Sequence, residues 1–167
     1  VMGSNGATGA QEIIFGSNTL QVIRHINNCI LVVPEKYQFQ GINSVLFSIH
    51  QDQEIKPESI AILKDVLVKY DAKLNALLVI QEKNEEREKS FDTLLNTKFK
   101  KIPTKSNTVI GLNFPEAISA YIQISKIDLH ALVMEKEKIL DRIFYGSNAK
   151  AISESTQMPL LVLPDEK

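Results

Sequence analysis

The amino-acid sequence predicts a doubly wound α/β fold, in which a parallel sheet is covered by helices on both faces. Two observations lead to this prediction. Short runs rich in valine, isoleucine and leucine alternate along the chain with longer segments of helical periodicity. Several of the short runs are apolar on both faces, which is typical of strands buried between two helical layers. Right-handed crossovers between such strands give the doubly wound arrangement.

The first strand, helix and second strand follow one another closely. INSVLFSIH (42–50) is a short, mostly apolar run and predicts a buried strand. KPESIAILKDVLVKY (56–70) predicts a helix, because Pro57 suits a first helical turn. The apolar face of this helix consists of Ile60, Leu63, Leu67 and Tyr70. LNALLVIQ (74–81) predicts the second buried strand.

Two further helices flank the third strand. NEEREKSFDTLLNTKF (84–99) predicts a mostly polar helix, with a thin apolar stripe of Phe91, Leu94 and Leu95. NTVIGL (107–112) predicts the third strand. NFPEAISAYIQIS (113–125) predicts a helix that turns Ile118, Tyr121 and Ile122 inward.

The alternation ends with two more strands. DLHALVM (128–134) and PLLVLP (159–164) predict strands four and five, with a helix from about 147 to 157 between them. The whole pattern therefore predicts a five-stranded parallel sheet within residues 41–167.

The two ends of the chain repeat one another at an offset of 130 residues. FGSNTLQVIRHINNCILVVP (15–34) matches YGSNAKAISESTQMPLLVLP (145–164) in its GSN triplet, its Leu-Val pair and its final proline. Further upstream, Val1-Met2 matches Val133-Met134 if two residues are missing from the later copy. We therefore expect a tandem protein, in which residues 1–35 are the carboxyl-terminal loop, helix and strand of a first domain. Residues 41–167 are then a complete second domain, and the chain is a fragment that begins within the first.

A glycine-rich segment opens the chain. Gly3, Gly6, Gly9 and Gly16 allow backbone amides to approach a phosphate closely. The predicted helix start at Gly16-Ser17-Asn18 adds unpaired N–H groups and a positive dipole end. Neither lysine nor arginine occurs before Arg24, so phosphate charge would be met by amides and a bound Mg²⁺. The other interpretation of the segment is a simple turn followed by a helix cap.

These residues resemble the universal stress protein family. That family has a Gly-x-x-Gly-(nine residues)-Gly-Ser/Thr pattern for ATP, which reads here as Gly3-Ser4-Asn5-Gly6, nine residues, and Gly16-Ser17. The resemblance extends to VMGSNGATG, FGSNT and ILVVP in the first copy. In the second copy it includes DLHALVM, RIFYGSN and PLLVLP, so it covers nearly the whole chain.

The resemblance implies a Rossmann-like, adenine nucleotide hydrolase-like fold with strand order 3-2-1-4-5. It implies an ATP site with Mg²⁺ in the first copy, whose residues are Gly3 near the ribose and Gly6, Gly16, Ser17 and Asn18 near the phosphates. The family also pairs the fifth strands of two domains antiparallel, as dimers or tandem pseudo-dimers. Here that would pair residues 29–33 with 160–163, and it implies a homo-oligomer through these strand edges.

The second copy departs from the family pattern in two ways. Where the glycines should stand it reads EKEKILDRIFYGS (135–147), with a loop two residues shorter, and only Gly146 and Ser147 remain. The family's aspartate after the first strand falls near His50, with Asp52 two residues out of register. We therefore expect no cofactor in the second domain.

Composition limits the classes of function. The net charge of −1 gives no reason to expect a nucleic acid or an anionic membrane as partner. One cysteine, Cys29, suits a reducing compartment, so a cytoplasmic protein is expected. His25 is expected in solvent and His130 in the core, and no catalytic group can be named. The sequence therefore predicts a nucleotide-responsive regulatory protein rather than an enzyme; a ligand-free scaffold and a slow ATPase are the alternatives. We also expect self-association, because a partial first domain would expose the inner faces of 17–27 and 29–33.

Overall fold

A computed structural model describes residues 1–3, 22, 25, 28–34, 37–50, 55, 57–134 and 158–164. Its strands are β1 (Met2–Gly3), β2 (Ile30–Val33), β3 (Ser44–His50), β4 (Lys73–Ile80), β5 (Thr104–Ile110), β6 (Leu129–Met134) and β7 (Leu160–Pro164). Its helices are α1 (Pro57–Lys69), α2 (Glu85–Lys98) and α3 (Phe114–Ile124). The predicted helix at about 147–157 lies outside the described residues. Of the predicted helix at 17–27, only Val22 and His25 are described, and both are helical.

The described strands form one sheet in the order β1-β2-β7-β6-β3-β4-β5. The five strands from β3 to β7 are mutually parallel where they pair, and their order is 3-2-1-4-5 in chain numbering. This confirms the predicted doubly wound α/β fold. The sheet is longer than predicted because β2 joins the outer side of β7, and β1 in turn joins β2.

The junction between β2 and β7 is antiparallel. Ile30 pairs with Val162, Leu31 with Leu161 and Val32 with Leu160. The predicted pairing of 29–33 with 160–163 is therefore confirmed, and it occurs within one chain.

This pairing corrects the expectation of a homo-oligomer through the same strand edges. Strand β2 pairs with β1 on one side and with β7 on the other. Strand β7 likewise pairs with β2 and with β6. Ile30 and Val32 are buried against the chain's own core, so this strand is not the open apolar patch that the sequence suggested.

Helix α1 begins and ends where local chemistry requires. Pro57 supplies a suitable first-turn backbone, and the buried Ile60, Leu63 and Leu67 face the sheet. The helix ends in a Schellman arrangement, in which the Ala72 N–H donates to the Leu67 carbonyl at 2.9 Å. The residue before Ala72, Asp71, has φ of 50°, the left-handed conformation that this ending needs.

Asparagine caps fix the starts of the other two described helices. The Asn84 side chain accepts a hydrogen bond from the Arg87 N–H at 2.9 Å, and α2 follows. The Asn113 side chain accepts one from the Glu116 N–H at 3.0 Å, and α3 follows. Both helices therefore begin one residue later than the sequence analysis placed them.

The core has two layers, one on each face of the sheet. One face packs against α1 and α2, with Phe47 and Phe99 as its largest fully buried side chains. The opposite face packs against α3 through Phe114, Ile118 and Tyr121. Two consecutive helices on one face and the next on the other are what right-handed crossovers require for this strand order. No helix in the described part of the chain has the length and apolar character needed to cross a bilayer.

Candidate functional site

The antiparallel junction gives the sheet two candidate ligand-binding edges. An edge here means the row of strand ends along one side of the sheet. In doubly wound sheets, ligands lie beyond the carboxyl ends of the parallel strands. The carboxyl ends of β1 and β2 emerge at one edge of the sheet, and those of β3, β4, β6 and β7 emerge at the other, because β2 and β7 run in opposite directions. Each edge is a candidate site.

Of the ligand-binding residues predicted in the glycine-rich segment, the structure describes Gly3. It is the last residue of β1 and pairs with Val33 near the end of β2. The glycine therefore lies where a strand ends and its loop begins, as the sequence analysis expected. The other predicted ligand-binding residues, Gly6, Gly16, Ser17 and Asn18, lie outside the described residues.

Strand register corrects the alignment of the two copies. Gly3 pairs with Val33 in the first copy, and Val133 pairs with Leu163 in the second. Both pairs are related by the same offset of 130 residues, so Gly3 corresponds to Val133 and Met2 to Leu132. The expectation that two residues are missing from the later loop is therefore wrong at this point. A gap of two residues would match Val1-Met2 with Val133-Met134, and strand pairing does not support it.

In the second copy, the residue equivalent to Gly3 is Val133, which has a buried branched side chain. Val133 is fully buried in the layer that contacts α1 and α2. The loop that follows Met134 lies outside the described residues. At this strand position the second copy has a core side chain, whereas the first copy has a glycine.

His50 ends β3 at the second edge. Its ring meets the Phe114 ring edge to face, with centroids 6.0 Å apart. Its backbone carbonyl accepts a hydrogen bond from Arg87 Nη2 at 3.4 Å, which links the strand end to the first turn of α2. His50 therefore lies at the carboxyl end of the first strand of residues 41–167, where the sequence analysis placed it. Asp52 lies outside the described residues.

Gln81 and Gly111 border this second edge at the ends of β4 and β5. Gln81 Nε2 donates to the Leu112 carbonyl at 3.0 Å, and the Gly111 N–H donates to the Ile80 carbonyl at 3.0 Å. Gly111 has φ of 80°, which suits a residue without a β-carbon. These contacts tie the two strand ends together.

His130 and Ser48 form a polar pair inside the sheet. The Ser48 hydroxyl and His130 Nε2 are 2.6 Å apart, and both residues are buried. Burial lowers the pKa of His130 from 6.5 to about 4, because charging the ring there would leave a cation without water. His130 is therefore a satisfied core residue, as expected. Ser48 was not predicted from the sequence. The available signal was a serine within a mostly apolar strand.

The remaining expected residues have structural surroundings. His25 is exposed. Cys29 is half-buried beside α1, with its Sγ 4.0 Å from the Ser59 hydroxyl, and burial raises the pKa of its thiol. Among the residues that the structure describes, no group of three histidine, cysteine, aspartate or glutamate side chains could hold a metal ion.

Asp128 is a carboxylate beside a cavity, and the sequence analysis did not name it as a candidate site residue. Its Oδ2 accepts hydrogen bonds from the Asn43 and Ser44 backbone N–H groups at 2.8 and 3.1 Å. It lies at the amino end of β6, beside a cavity of about 250 Å³. The signal available in the sequence was an aspartate at the start of an apolar strand, DLHALVM (128–134).

Comparison with solved structures identifies the fold. A universal stress protein from Archaeoglobus fulgidus DSM 4304 aligns with 98% of this chain and 59% of its own, at 14% identity and a TM-score of 0.65. One from Pseudomonas aeruginosa UCBPP-PA14, whose title calls it putative, aligns with 99% and 63%, at 10% identity and 0.64. A shorter universal stress protein from Archaeoglobus fulgidus aligns with 74% of this chain and 94% of its own, at 8% identity and 0.51.

The chain therefore spans about three fifths of the two longer structures. No protein-family model and no curated protein matches the sequence. At these identities the likeness concerns the course of the backbone. The chain has the α/β fold seen in solved universal stress proteins.

Proposed function

We propose that this protein is a nucleotide-responsive binding protein of the universal stress type. Its ligand is ATP with Mg²⁺, held by the glycine-rich segment of the first copy. The observation that carries the proposal is Gly3, which ends β1 at the carboxyl edge shared with β2 and begins the Gly-x-x-Gly-(nine residues)-Gly-Ser spacing. That edge is where parallel α/β sheets bind ligands, and amides from glycines and a helix start suit phosphate oxygens.

The proposed role is binding without rapid turnover. Among the described residues, His130 is enclosed with Ser48, and the His50 carbonyl and ring contact Arg87 and Phe114. His50 ends its strand at the opposite edge from Gly3, and His130 is buried in β6, three strands away from β1, so neither is in position to supply a base beside Gly3. The second copy is proposed to bind no nucleotide, because Val133 replaces the glycine and acidic residues follow in the sequence.

We further propose a tandem arrangement of two units, 1–35 and 41–167. The repeat at an offset of 130 residues supports it, and so does a strand register with the same offset. The coverage of solved structures is consistent with it, since a shorter protein aligns over nearly its full length with 74% of this chain.

Titration with Mg-ATP tests the binding proposal. We would measure binding by calorimetry to this chain and to a longer chain with a complete first unit, since the segment supplies only part of a nucleotide site. Binding that is lost in Gly6→Trp and weakened in Gly16→Ala supports the proposal. Gly146→Ala, the corresponding change in the second copy, is the matched control and should leave affinity unchanged. If neither chain binds, or if Gly146→Ala weakens binding as much as Gly16→Ala, the proposal is wrong.

A ligand-free scaffold is the second candidate function. The observation that favours it is the β2–β7 ladder, whose strand pairing joins the two units into one sheet. Under this function, Mg-ATP would neither bind to the longer chain nor raise its melting temperature. Measurable ATP turnover that is lost on changing one carboxylate would instead favour an enzyme.

A further inference from the structure

A polar cavity lies at the amino ends of β3, β6 and β7. Its volume is about 250 Å³, slightly below the ~300 Å³ at which ligand pockets usually begin. Its lining residues are Tyr37, Gln38, Gln40, Gly41, Ile127, Asp128 and Met158. A cavity of this size fits a molecule of a few heavy atoms and is too small for a nucleotide.

The floor of the cavity is fixed by Asp128. Three hydrogen bonds reach its Oδ2: from the Asn43 N–H at 2.8 Å, the Ser44 N–H at 3.1 Å and Asn43 Nδ2 at 3.4 Å. The Asp128 N–H also donates to the Ser44 carbonyl at 2.9 Å. These contacts anchor the carboxylate to the start of β3, and every recorded hydrogen bond of the carboxylate among the described residues ends on Oδ2. Among the described residues, the other oxygen, Oδ1, accepts no recorded hydrogen bond.

The connection from β2 to β3 also lines the cavity, through Tyr37, Gln38, Gln40 and Gly41. The Tyr37 N–H donates to the Pro34 carbonyl at 3.1 Å, and the exposed Phe39 ring meets Tyr70 edge to face at 5.8 Å between centroids. Gly41 has φ of 96°, which lets the chain turn into β3 where a residue with a β-carbon would be strained. The connection is thus held at both ends, and it presents side-chain amides to the cavity.

The described lining of the cavity carries a negative charge. Among the lining residues that the structure describes, Asp128 carries the one charge, and the others are amides, a phenol, glycine and apolar side chains. Burial and the Asp128 charge both raise the pKa of Tyr37, so its hydroxyl keeps its proton. A carboxylate with amide oxygens and a phenol hydroxyl around it provides acceptors for a cation rich in N–H groups.

We propose that this cavity is a binding site for a small organic cation that carries a primary ammonium or guanidinium group. Asp128 is the counter-ion, and Gln38, Gln40 and Tyr37 provide further hydrogen bonds. The site is at the same edge of the sheet as Gly3, because the amino ends of β6 and β7 lie beside the carboxyl end of β2. The proposed occupant is a cation and not the phosphate of ATP, since a carboxylate repels phosphate.

The experiment uses agmatine, which carries both cationic groups, in calorimetric titrations without nucleotide. Binding of agmatine and no binding of the neutral hexane-1,6-diol are expected. Asp128→Asn keeps an oxygen for the two backbone N–H groups and removes the charge, so affinity should fall about tenfold or more. The matched control is Asp65→Asn, on the exposed side of α1, which should leave affinity unchanged.

A second pair of variants guards against a folding defect in Asp128→Asn. Gln40 is exposed, so Gln40→Lys should preserve the fold while it brings a positive charge to the cavity. It should weaken agmatine binding about tenfold, whereas Gln123→Lys, on the exposed side of α3, should not. The proposal is overturned if the unmodified protein does not bind agmatine at millimolar concentration, or if Asp128→Asn and Gln40→Lys bind it as tightly as their controls. Because no nucleotide is present, failure here leaves the ATP proposal to its own test.

Discussion

Leu31 pairs with Leu161 across the antiparallel junction of β2 and β7, and Leu161 is the residue that corresponds to Leu31 in the second copy of the repeat. The neighbouring pairs are symmetric about this one. Ile30 faces Val162, and Val32 faces Leu160, so each residue meets the counterpart of the other. This is the self-complementary register of a two-fold interface, here formed within one chain.

The symmetric pair should be energetically coupled. Leu161 is buried and Leu31 packs against the same core layer, so Leu161→Ala should lower the free energy of unfolding by about 2–4 kcal/mol and Leu31→Ala by less. The double variant should lose less than the sum by about 0.5–1 kcal/mol, as measured by urea unfolding. Leu31→Ala combined with Leu95→Ala, on α2, is the additive control. Additivity in both double variants would contradict the coupling.

His130 should make stability depend on pH. Its pKa is lowered from 6.5 to about 4, so above pH 6.5 the folded and unfolded chains hold the same neutral ring. As pH falls from 6.5 to 4, the unfolded chain takes up a proton that the folded chain refuses. The free energy of unfolding should therefore decrease by about 3 kcal/mol across that window.

Urea unfolding at several pH values checks this dependence. His130→Leu should remove most of the slope between pH 6.5 and 4, although it also leaves the Ser48 hydroxyl without its partner. His25→Gln is the control, since His25 is exposed and its replacement should leave the slope in place. An equally steep slope in His130→Leu would show that another group is responsible.

Tyr121 holds a polar chain across three strands. Its hydroxyl accepts from Asn107 Nδ2 at 3.1 Å and lies 3.4 Å from Asn75 Oδ1, while Asn75 Nδ2 donates to Ser44 Oγ at 2.8 Å. Tyr121→Phe should lower the free energy of unfolding by about 1–2 kcal/mol, because half-buried amides lose a partner. In Tyr70→Phe, where the ring makes the recorded contacts, the change should stay within about 0.5 kcal/mol. Equal losses in thermal or urea unfolding would disprove a role for the hydroxyl.

Asp71 offers a stabilising substitution. Its φ of 50° is costly for a residue with a β-carbon, so Asp71→Gly should raise the free energy of unfolding by about 0.5 kcal/mol despite the added freedom of the unfolded chain. Asp65→Gly, in the middle of α1, should instead lower it by about 1 kcal/mol. A melting temperature that falls in both variants would argue against the left-handed ending of α1.

The strands and helices with strong apolar periodicity could be predicted from the sequence. β3 and β4 are nearly continuous apolar runs, and the structure begins β3 two residues later and ends β4 one residue earlier than predicted. β5 was the least accurate: it was predicted over 107–112, but it begins at Thr104 and ends at Ile110. Its first half is exposed and polar, because an edge strand needs no apolar pattern there.

Side-chain partners across the sheet were less accessible to sequence reasoning. Ser48 and His130 are 82 residues apart, and they meet only because β3 lies beside β6. Asp128 became notable through its contacts with Asn43 and Ser44, which depend on the same neighbourhood. The junction of β2 with β7, in contrast, could be expected from the repeat together with the family resemblance. Its symmetric register could not, because an ungapped match fixes equivalent residues but not which of them face one another.

The antiparallel junction has a mechanical consequence for any signal that this protein carries. A molecule bound at the Gly3 edge and a molecule bound at the His50 edge would lie at opposite ends of the strands. The backbone ladder whose three recorded pairs centre on Leu31 and Leu161 is one path that joins β1 and β2 to the rest of the sheet. Adjacent residues in a strand are about 3.3 Å apart, so a slip of two positions in that ladder would move one half of the sheet past the other by roughly 7 Å. The register of Leu31 against Leu161 would thus set the position of one half of the sheet relative to the other.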